Sequence, residues 1–218
     1  MRPKWFWAVA SGVSCALMLT TGCGSSAAHV RVLNAIPIQS SIDMLIDGKN
    51  IASSIPYGAA SGYSTVSTGS RHLQIEPSGS TPFVDQTINV ASGSSNTILG
   101  MASAATVLTD DNSAPASGDV KIRVINACSN LGPTDVYITT SSTGLSASPT
   151  FSSLGVSAAS GYDAVAAGSY QVYFTTPGTT NIILSTTALS FSSGQVRTVV
   201  VLDGQTGGIT TSVLADVD

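Results

Sequence analysis

Val-Arg-Val-Leu-Asn-Ala at residues 30–35 returns as Ile-Arg-Val-Ile-Asn-Ala at residues 122–127, with four identical positions of six. A second block, Ala-Ala-Ser-Gly-Tyr at residues 59–63, returns unchanged at residues 158–162. The offset between the copies grows from 92 to 99 residues, which predicts one fold with a longer loop in its second copy, within the Ser-rich stretch 139–149. Two copies of this length are too few and too long for a solenoid, so each copy is expected to fold alone.

Each copy reads as a series of short strands. Apolar and polar residues alternate over residues 42–47 and again over 134–139, the period typical of half-buried strands. The run 196–202 fits a strand that is buried on both faces. No stretch after residue 28 has a sustained helical period. We therefore predict an all-β fold of two tandem antiparallel β-sandwiches, either immunoglobulin-like or transthyretin-like.

The composition excludes one large class of partners. Only 9% of the 218 residues are charged and the formal net charge is -4, so the chain offers no basic surface to a phosphate backbone. Ser and Thr together supply 59 residues, and these hydroxyls are expected to keep the surface hydrated. We expect no nucleic-acid partner.

The beginning of the chain has the features of a secretory signal peptide. Arg2 and Lys4 precede an apolar stretch at residues 5–19, which is shorter than the roughly 20 residues that cross a bilayer as a helix. The following Leu-Thr-Thr-Gly-Cys at residues 19–23 resembles the lipobox of bacterial lipoproteins. The resemblance implies cleavage before Cys23 and a lipid anchor on its sulfur, and two or three acyl chains hold a protein stably on a membrane.

The alternative is ordinary cleavage after Ala28, which would release a soluble protein. Gly24 stands where an Asp would favour retention in the inner membrane of diderm bacteria, so the lipoprotein interpretation favours the outer membrane. The predicted organisation is a signal peptide at 1–22, a lipidated tether at 23–28, a first repeat at 29–110, a linker at 111–118 and a second repeat at 119–218.

We predict no catalytic residues, no metal site and no cofactor. Cys128 is the single cysteine left after the signal and the proposed lipid site, and it is expected to be a buried thiol. His72 alternates with apolar neighbours and is expected to point to solvent. The Gly-rich residues 204–208 lack the Lys of a phosphate loop and are expected to form a hairpin turn.

Two charges and one tyrosine recur in both copies. Our hypothesis for the charges is that Arg31 pairs with Asp43, and Arg123 with Asp135, across adjoining strands; the alternative is a ligand site that occurs twice. The recurring tyrosines are expected to be structural, closing a corner between sheets. They are Tyr63 and Tyr162.

The recurring blocks resemble a family of bacterial envelope proteins known as domain of unknown function 4397. The resemblance rests on the opening block at 30–35, the strand around Asp43, and a Ser-Gly-Tyr step followed by a Gly-Ser turn at 69–70, once per copy. It implies a secreted or lipid-anchored β-sandwich module, and it brings no catalytic residues.

Three functions follow from these observations. The first is a non-enzymatic, lipid-anchored cell-envelope protein whose two sandwiches act as interaction or spacer modules, with an envelope protein or polysaccharide as partner. The second is a glycan-binding module, which needs an exposed aromatic platform, and the third is a hydrolase. Candidates for the platform are Tyr57, Tyr137, Tyr170 and Tyr173.

Overall fold

The computed structural model describes residues 27–140, 145 and 148–217. These residues form strands and turns without an α-helix, so the predicted all-β fold is confirmed. The described residues accordingly contain no helix of the length and hydropathy needed to cross a bilayer. The predicted signal peptide and Cys23 lie outside this range.

Residues 27–110, here called unit 1, form two four-stranded sheets. The inner sheet has the order β4-β1-β7-β8 and the outer sheet the order β3-β2-β5-β6. The strands are β1 (Ala27–Asn34), β2 (Ser41–Ile46), β3 (Lys49–Pro56), β4 (Ser64–Ser67), β5 (Gly69–Glu76), β6 (Val84–Val90), β7 (Ser95–Gly100) and β8 (Ala105–Asp110).

Residues 119–217, here called unit 2, repeat this arrangement. The inner sheet has the order β12-β9-β17-β18, with β13 also paired to β9; the outer sheet has the order β11-β10-β14-β15, with β16 also paired to β14. The strands are β9 (Asp119–Ala127), β10 (Thr134–Thr140), β11 (Phe151–Leu154), β12 (Ala158–Ala159), β13 (Asp163–Ala166), β14 (Gly168–Thr175), β15 (Ile182–Ser185), β16 (Leu189–Phe191), β17 (Val196–Asp203) and β18 (Ile209–Val217).

The longer loop of the second copy joins β10 to β11. In unit 1 the same connection is the two-residue turn Asp47-Gly48, where both residues have positive φ angles of 51° and 74°. Such turns match the twist of a hairpin and need Gly or Asp-like residues. In unit 2 the connection runs from Thr140 to Phe151, which confirms the predicted position of the insertion.

The two tandem β-sandwiches are present as predicted, and each inner sheet contains one parallel pairing among its antiparallel ones. β1 pairs with β7 in parallel, and β9 pairs with β17 in parallel. β7 follows β6 of the outer sheet, and β17 follows β16 of the outer sheet. In each unit the chain therefore crosses back to the inner sheet, where it lies parallel to the first strand of that unit. The other described pairings in both units are antiparallel.

Both units are packed together through a third apolar layer. In β1 the side chains of Val30 and Val32 enter the core of unit 1, whereas Leu33 faces the other way and is also fully buried. Unit 2 follows the same rule, with Val124 inside its own core and Ile125 in the third layer. The molecule is therefore a stack of four sheets whose two inner sheets face each other. The buried residues of the third layer are Leu33, Ala35, Leu99, Leu108, Ile125, Ala127, Val200, Leu202 and Leu214.

The first strands of the two units end on the same side of the molecule. Gln205, just after β17, donates a hydrogen bond to the carbonyl oxygen of Pro37, just after β1. Since β17 is parallel to β9, β1 and β9 run in the same direction. We call the side where they begin the near end and the side where they finish the distal end. Ala27, the first residue of β1, therefore lies at the near end.

Candidate functional site

Arg31 and Arg123, at equivalent positions of β1 and β9, lie buried between the two inner sheets. Their side chains share the face of Leu33 and Ile125, so they point out of their own sandwich and toward the other unit. A salt-bridged arginine layer therefore lies beside the apolar third layer, closer to the near end.

The predicted pairs of Arg31 with Asp43 and of Arg123 with Asp135 are wrong. Asp43 alternates with the core residues Ile42 and Met44 of the outer sheet, so its side chain lies on the outward face of that sheet. The whole thickness of a sandwich separates it from Arg31. The alternation gave the correct face for each residue, but it did not indicate what covers that face.

Each arginine contacts a threonine and a tyrosine of its own unit. Nε of Arg31 donates to Oγ1 of Thr97 at 2.9 Å, and the guanidinium lies 4.9 Å from the centre of the Tyr63 ring. Cation–π contacts of this kind gain strength when they are removed from water. Arg123 repeats both contacts: it donates to Thr198 at 2.8 Å and lies 4.9 Å from the ring of Tyr162.

The acidic partners are exchanged between the units. Arg31 donates from Nη2 to Asp216 at 2.6 Å and from Nη1 to the carbonyl oxygen of Ala215 at 3.3 Å, both on β18 of unit 2. Arg123 donates to Asp110 at 2.5 Å and to the carbonyl oxygen of Thr109 at 3.2 Å, both on β8 of unit 1. The two arginines thus brace the last strand of the opposite unit.

Each aspartate also accepts hydrogen bonds within its own unit. Asp110 accepts from the Thr97 hydroxyl at 2.8 Å and from the Tyr63 hydroxyl at 2.6 Å. Asp216 accepts from the Thr198 hydroxyl at 2.5 Å and from the Tyr162 hydroxyl at 3.4 Å. The buried charges are therefore both paired and hydrogen-bonded, as the burial of charge requires.

Burial and the neighbouring charges determine the protonation state of the arginine and the tyrosine. Burial acts to lower the pKa of Arg31, but Asp216 and then Tyr63 act to raise it, and the pKa ends above its ordinary value. Burial raises the pKa of Tyr63 well above its usual range, and a hydrogen bond to Asp110 adds to this effect. The tyrosines therefore stay neutral hydrogen-bond donors, and their predicted structural role is confirmed, although they support an arginine rather than a sheet corner.

Asp110 and Asp216 were not singled out as a pair from the sequence. The residues that hold them are Val-Leu-Thr-Asp at 107–110 and Val-Leu-Ala-Asp at 213–216, a third repeated block with an offset of 106. The domain organisation expected from the sequence ends the first repeat at Asp110, next to the linker at 111–118. A search for matches at the end of each copy would have found both residues.

The second recurring charge, Asp43 in unit 1 and Asp135 in unit 2, holds loops at the distal end. Each accepts a 2.7 Å hydrogen bond from the backbone N–H of a serine with positive φ, which is Ser54 in unit 1 and Ser153 in unit 2. Asp135 also accepts from the N–H of Gly178 at 2.7 Å. These carboxylates therefore stabilise a strained serine in the neighbouring strand.

Cys128 is buried, as predicted, at the distal end of β9. Its thiol donates to Asp203 at 3.0 Å, and Asp203 also accepts from the backbone N–H groups of Ser129 and Asn130. Burial raises the pKa of the Cys128 thiol to about 11, so the thiol is protonated at neutral pH. His72 is half-exposed, with its ring 2.6 Å from Asp85, which agrees with the predicted orientation toward solvent.

The four candidate tyrosines do not form one exposed platform. Tyr57 donates its hydroxyl to the carbonyl oxygen of Asp203 in unit 2, and Tyr170 packs its ring 6.3 Å from that of Phe191. Tyr137 and Tyr173 are cross-strand neighbours on the outward face of the outer sheet of unit 2. Tyr137 is only 5% exposed.

Comparison with solved structures finds distant similarities. The Bacillus anthracis TIE protein matches 87% of this chain at 8% identity with a TM-score of 0.29, and the chain covers 44% of that protein. A family 26 carbohydrate-binding module of Eubacterium rectale Amy13K, solved with maltoheptaose, matches 88% of this chain and 98% of its own at 9% identity, with a TM-score of 0.29. A streptococcal virulence factor described by its α-glucan binding matches 84% of this chain and 96% of its own at 11% identity, with a TM-score of 0.27.

No curated protein matches the chain. One protein-family description fits it twice, over residues 28–137 and over residues 124–218. The first match covers unit 1 from residue 28 and extends into β10, and the second covers unit 2 from Val124 onward. The chain therefore belongs to the family described as "Domain of unknown function (DUF4397)", of which it contains two copies.

Proposed function

We propose that this protein is a non-enzymatic module of the bacterial cell envelope, anchored to the outer membrane by lipid on Cys23, that presents its distal loops to another envelope component. The two sandwiches serve as one stiff body rather than as two domains on a flexible linker. The observation that carries the proposal is the exchange of acidic partners between Arg31 and Arg123, because it couples the units through buried charges.

The geometry of β1 supports presentation of the distal loops away from the membrane. Ala27 begins β1 at the near end, four residues after Cys23, and Asn34 finishes it at the distal end. Eight residues of β-strand span about 26 Å. A lipid on Cys23 would hold the near end at the membrane, so that the loops after β1 and β9 lie tens of ångströms away from it. Ile38, in the first of these loops, is 82% exposed.

The anchor is tested on the native protein. We expect membrane fractions to contain a mature chain that begins at Cys23 with acyl groups attached, measured by intact mass. Replacing Cys23→Ser should release the protein from the membrane, whereas the matched Cys15→Ser, inside the predicted signal, should leave it there. A mature chain that begins with unmodified His29 would overturn the anchoring.

The direction of presentation is tested by photocrosslinking in intact cells. A photoreactive residue at Ile38, at the distal end, should crosslink to an envelope component. The same residue at the exposed Ser92, in the near-end turn next to Ala27, should not. Equal crosslinking from both positions would contradict a distal interaction surface.

A second candidate function is binding of a glycan, and one specific observation favours it. The outer sheet of unit 2 carries a cleft of about 420 Å³ lined by Asp135 and Tyr137, and Tyr173 lies next to Tyr137 on the same face. Ligand sites combine such a concave surface with an aromatic side chain and a few polar groups.

A further inference from the structure

The cleft in unit 2 is built from one strand and two loops. Asp135 and Tyr137 of β10, on the face of the sheet, form its floor, and the other lining residues are 178–181 from the loop after β14 and Pro149 from the loop before β11. Its volume of about 420 Å³ lies within the range of small-molecule sites, roughly 300 to 1,000 Å³.

Several polar groups in this cleft have unused hydrogen-bonding capacity. The ring of Tyr137 is buried, and within the described chain its hydroxyl has no hydrogen-bond partner. Thr180 and Asn181 are exposed at the cleft, so the hydroxyl and the side-chain amide are open to a ligand. Each oxygen of Asp135 accepts one backbone N–H, from Ser153 or Gly178, and keeps a second lone pair.

Two buried hydroxyls on the same sheet face add to this. Thr175 lies directly across from Asp135, and Thr139 lies two residues after Tyr137. The Oγ1 atoms of both threonines are buried without a hydrogen-bond partner in the described structure. Since buried hydroxyls in proteins are normally bonded to a protein group or an ordered water, this face is short of partners.

Charge decides which ligand class suits the cleft. Residues 124–196 contain no Lys and no Arg, so no cation from that part of unit 2 is available for a phosphate or carboxylate. Asp135 itself would repel an anion. A ligand with many neutral hydroxyls can both donate to the carboxylate and accept from the amide of Asn181.

We propose that this cleft binds one or two sugar rings of a neutral glycan, which deepens and rests on the second candidate function above. Tyr173 stands beside the cleft as a half-buried aromatic neighbour of Tyr137, held by a hydrogen bond from its hydroxyl to Gln171 at 2.8 Å. Its fixed ring and the polar floor provide the apolar and polar contacts that such a ligand needs.

Unit 1 does not repeat this site. At the positions that correspond to Tyr137, Tyr173 and Thr175 it has Leu45, Gln74 and Glu76. The proposal therefore requires one binding site per chain, although the fold occurs twice.

The test is calorimetry of the purified full chain with neutral hexasaccharides of glucose, mannose, galactose and N-acetylglucosamine. We expect at least one of the four to bind with one site per chain. Tyr137→Phe keeps the ring packing and removes only the hydroxyl, and Asn181→Ala removes the amide. Each should weaken binding about three- to tenfold, the effect of one lost hydrogen bond. Tyr170→Phe is the matched control, because its hydroxyl bonds to Ala166 outside the cleft, and it should not change binding.

The possible results distinguish failure of this cleft as the binding site from failure of glycan binding as a function. If none of the hexasaccharides binds, both the proposed site and the glycan-binding candidate are overturned. If one binds but Tyr137→Phe and Asn181→Ala leave its affinity unchanged, or if two sites per chain are found, glycan binding stands and this cleft is overturned. Thermal unfolding curves of Tyr137→Phe and Asn181→Ala should overlay that of the unsubstituted protein, which excludes misfolding as the cause of lost binding.

Discussion

Asp110 and Asp216 occupy equivalent positions on the last strands of the two units, and each accepts a hydrogen bond from the arginine of the other unit. The relationship is reciprocal: an arginine from unit 1 reaches unit 2, and an arginine from unit 2 reaches unit 1. Asp110 lies close to both arginines, since the side chain of Arg31 is also 3.9 Å from it.

Removing one acid should destabilise the whole molecule. Asp110→Asn leaves Arg123 buried without its ion partner, and breaking a buried pair in this way costs about 3 to 5 kcal/mol. Asp216→Asn should cost less, because Arg31 still has Asp110 nearby. Denaturant unfolding measures both. The control is Asp85→Asn, an exposed partner of His72, which should leave the free energy of unfolding nearly unchanged because solvent screens an exposed ion pair. Equal losses in all three variants would contradict the network.

The exchange of partners can be measured directly with a double-mutant cycle. Arg31→Met combined with Asp216→Leu should show a coupling energy of about 0.5 to 3 kcal/mol, because the two side chains are in contact. Arg31→Met combined with Asp43→Leu is the matched cycle for the pairing expected from the sequence. Its two residues lie on opposite sides of a sandwich, so its coupling should be within about 0.5 kcal/mol of zero. The reverse result would restore the original pairing.

The apolar third layer should make the two units unfold together. Leu33→Ala opens a cavity between the inner sheets and should cost about 2 to 5 kcal/mol. Because Leu33 packs in the layer that contains Ile125, hydrogen exchange should accelerate in β9 of unit 2 as well as in β1. Leu45→Ala, on the outward face of the outer sheet, serves as the control. Protection lost only in unit 1 would mean that the units open independently.

Alkaline pH should weaken the fold through Cys128. In the unfolded chain the thiol ionises near its ordinary pKa of 9.0, whereas in the folded protein the pKa is raised to about 11 by burial and then by Asp203. The unfolded chain therefore releases a proton that the folded chain keeps, so stability is lost as pH rises from 9 to 11. Denaturant midpoints of wild type and Cys128→Ala measured over this range should converge. A constant difference between them would refute the raised pKa.

The strands, the duplication and the inserted loop could be predicted from the sequence, because they depend on local alternation and on turn residues such as Gly48. It was not sufficient for the packing of the two units. Alternation assigns Arg31 to one face of β1, but a face that is covered by another sheet looks the same as one that meets solvent. The apolar run 196–202 was the one local indication that an inner strand is covered on both sides.

The candidate cleft was harder still to foresee. The sequence shows Tyr137 and Tyr173 as aromatic residues, but their adjacency depends on the register between β10 and β14. The contribution of residues 178–181 depends on the loop that Asp135 holds in position through Gly178. Neither relationship is local in the chain, so periodicity could not reveal it.

The reciprocal bracing has an evolutionary consequence. An arginine that serves a neighbour's acid, and an acid that serves a neighbour's arginine, give a contact surface that is complementary to a copy of itself, as in a twofold dimer. A single ancestral gene product could have paired with its twin through these same contacts before duplication fused the two. The buried arginines and aspartates are the same in both units, whereas the outward faces differ: Leu45 of unit 1 stands at the position of Tyr137 in unit 2.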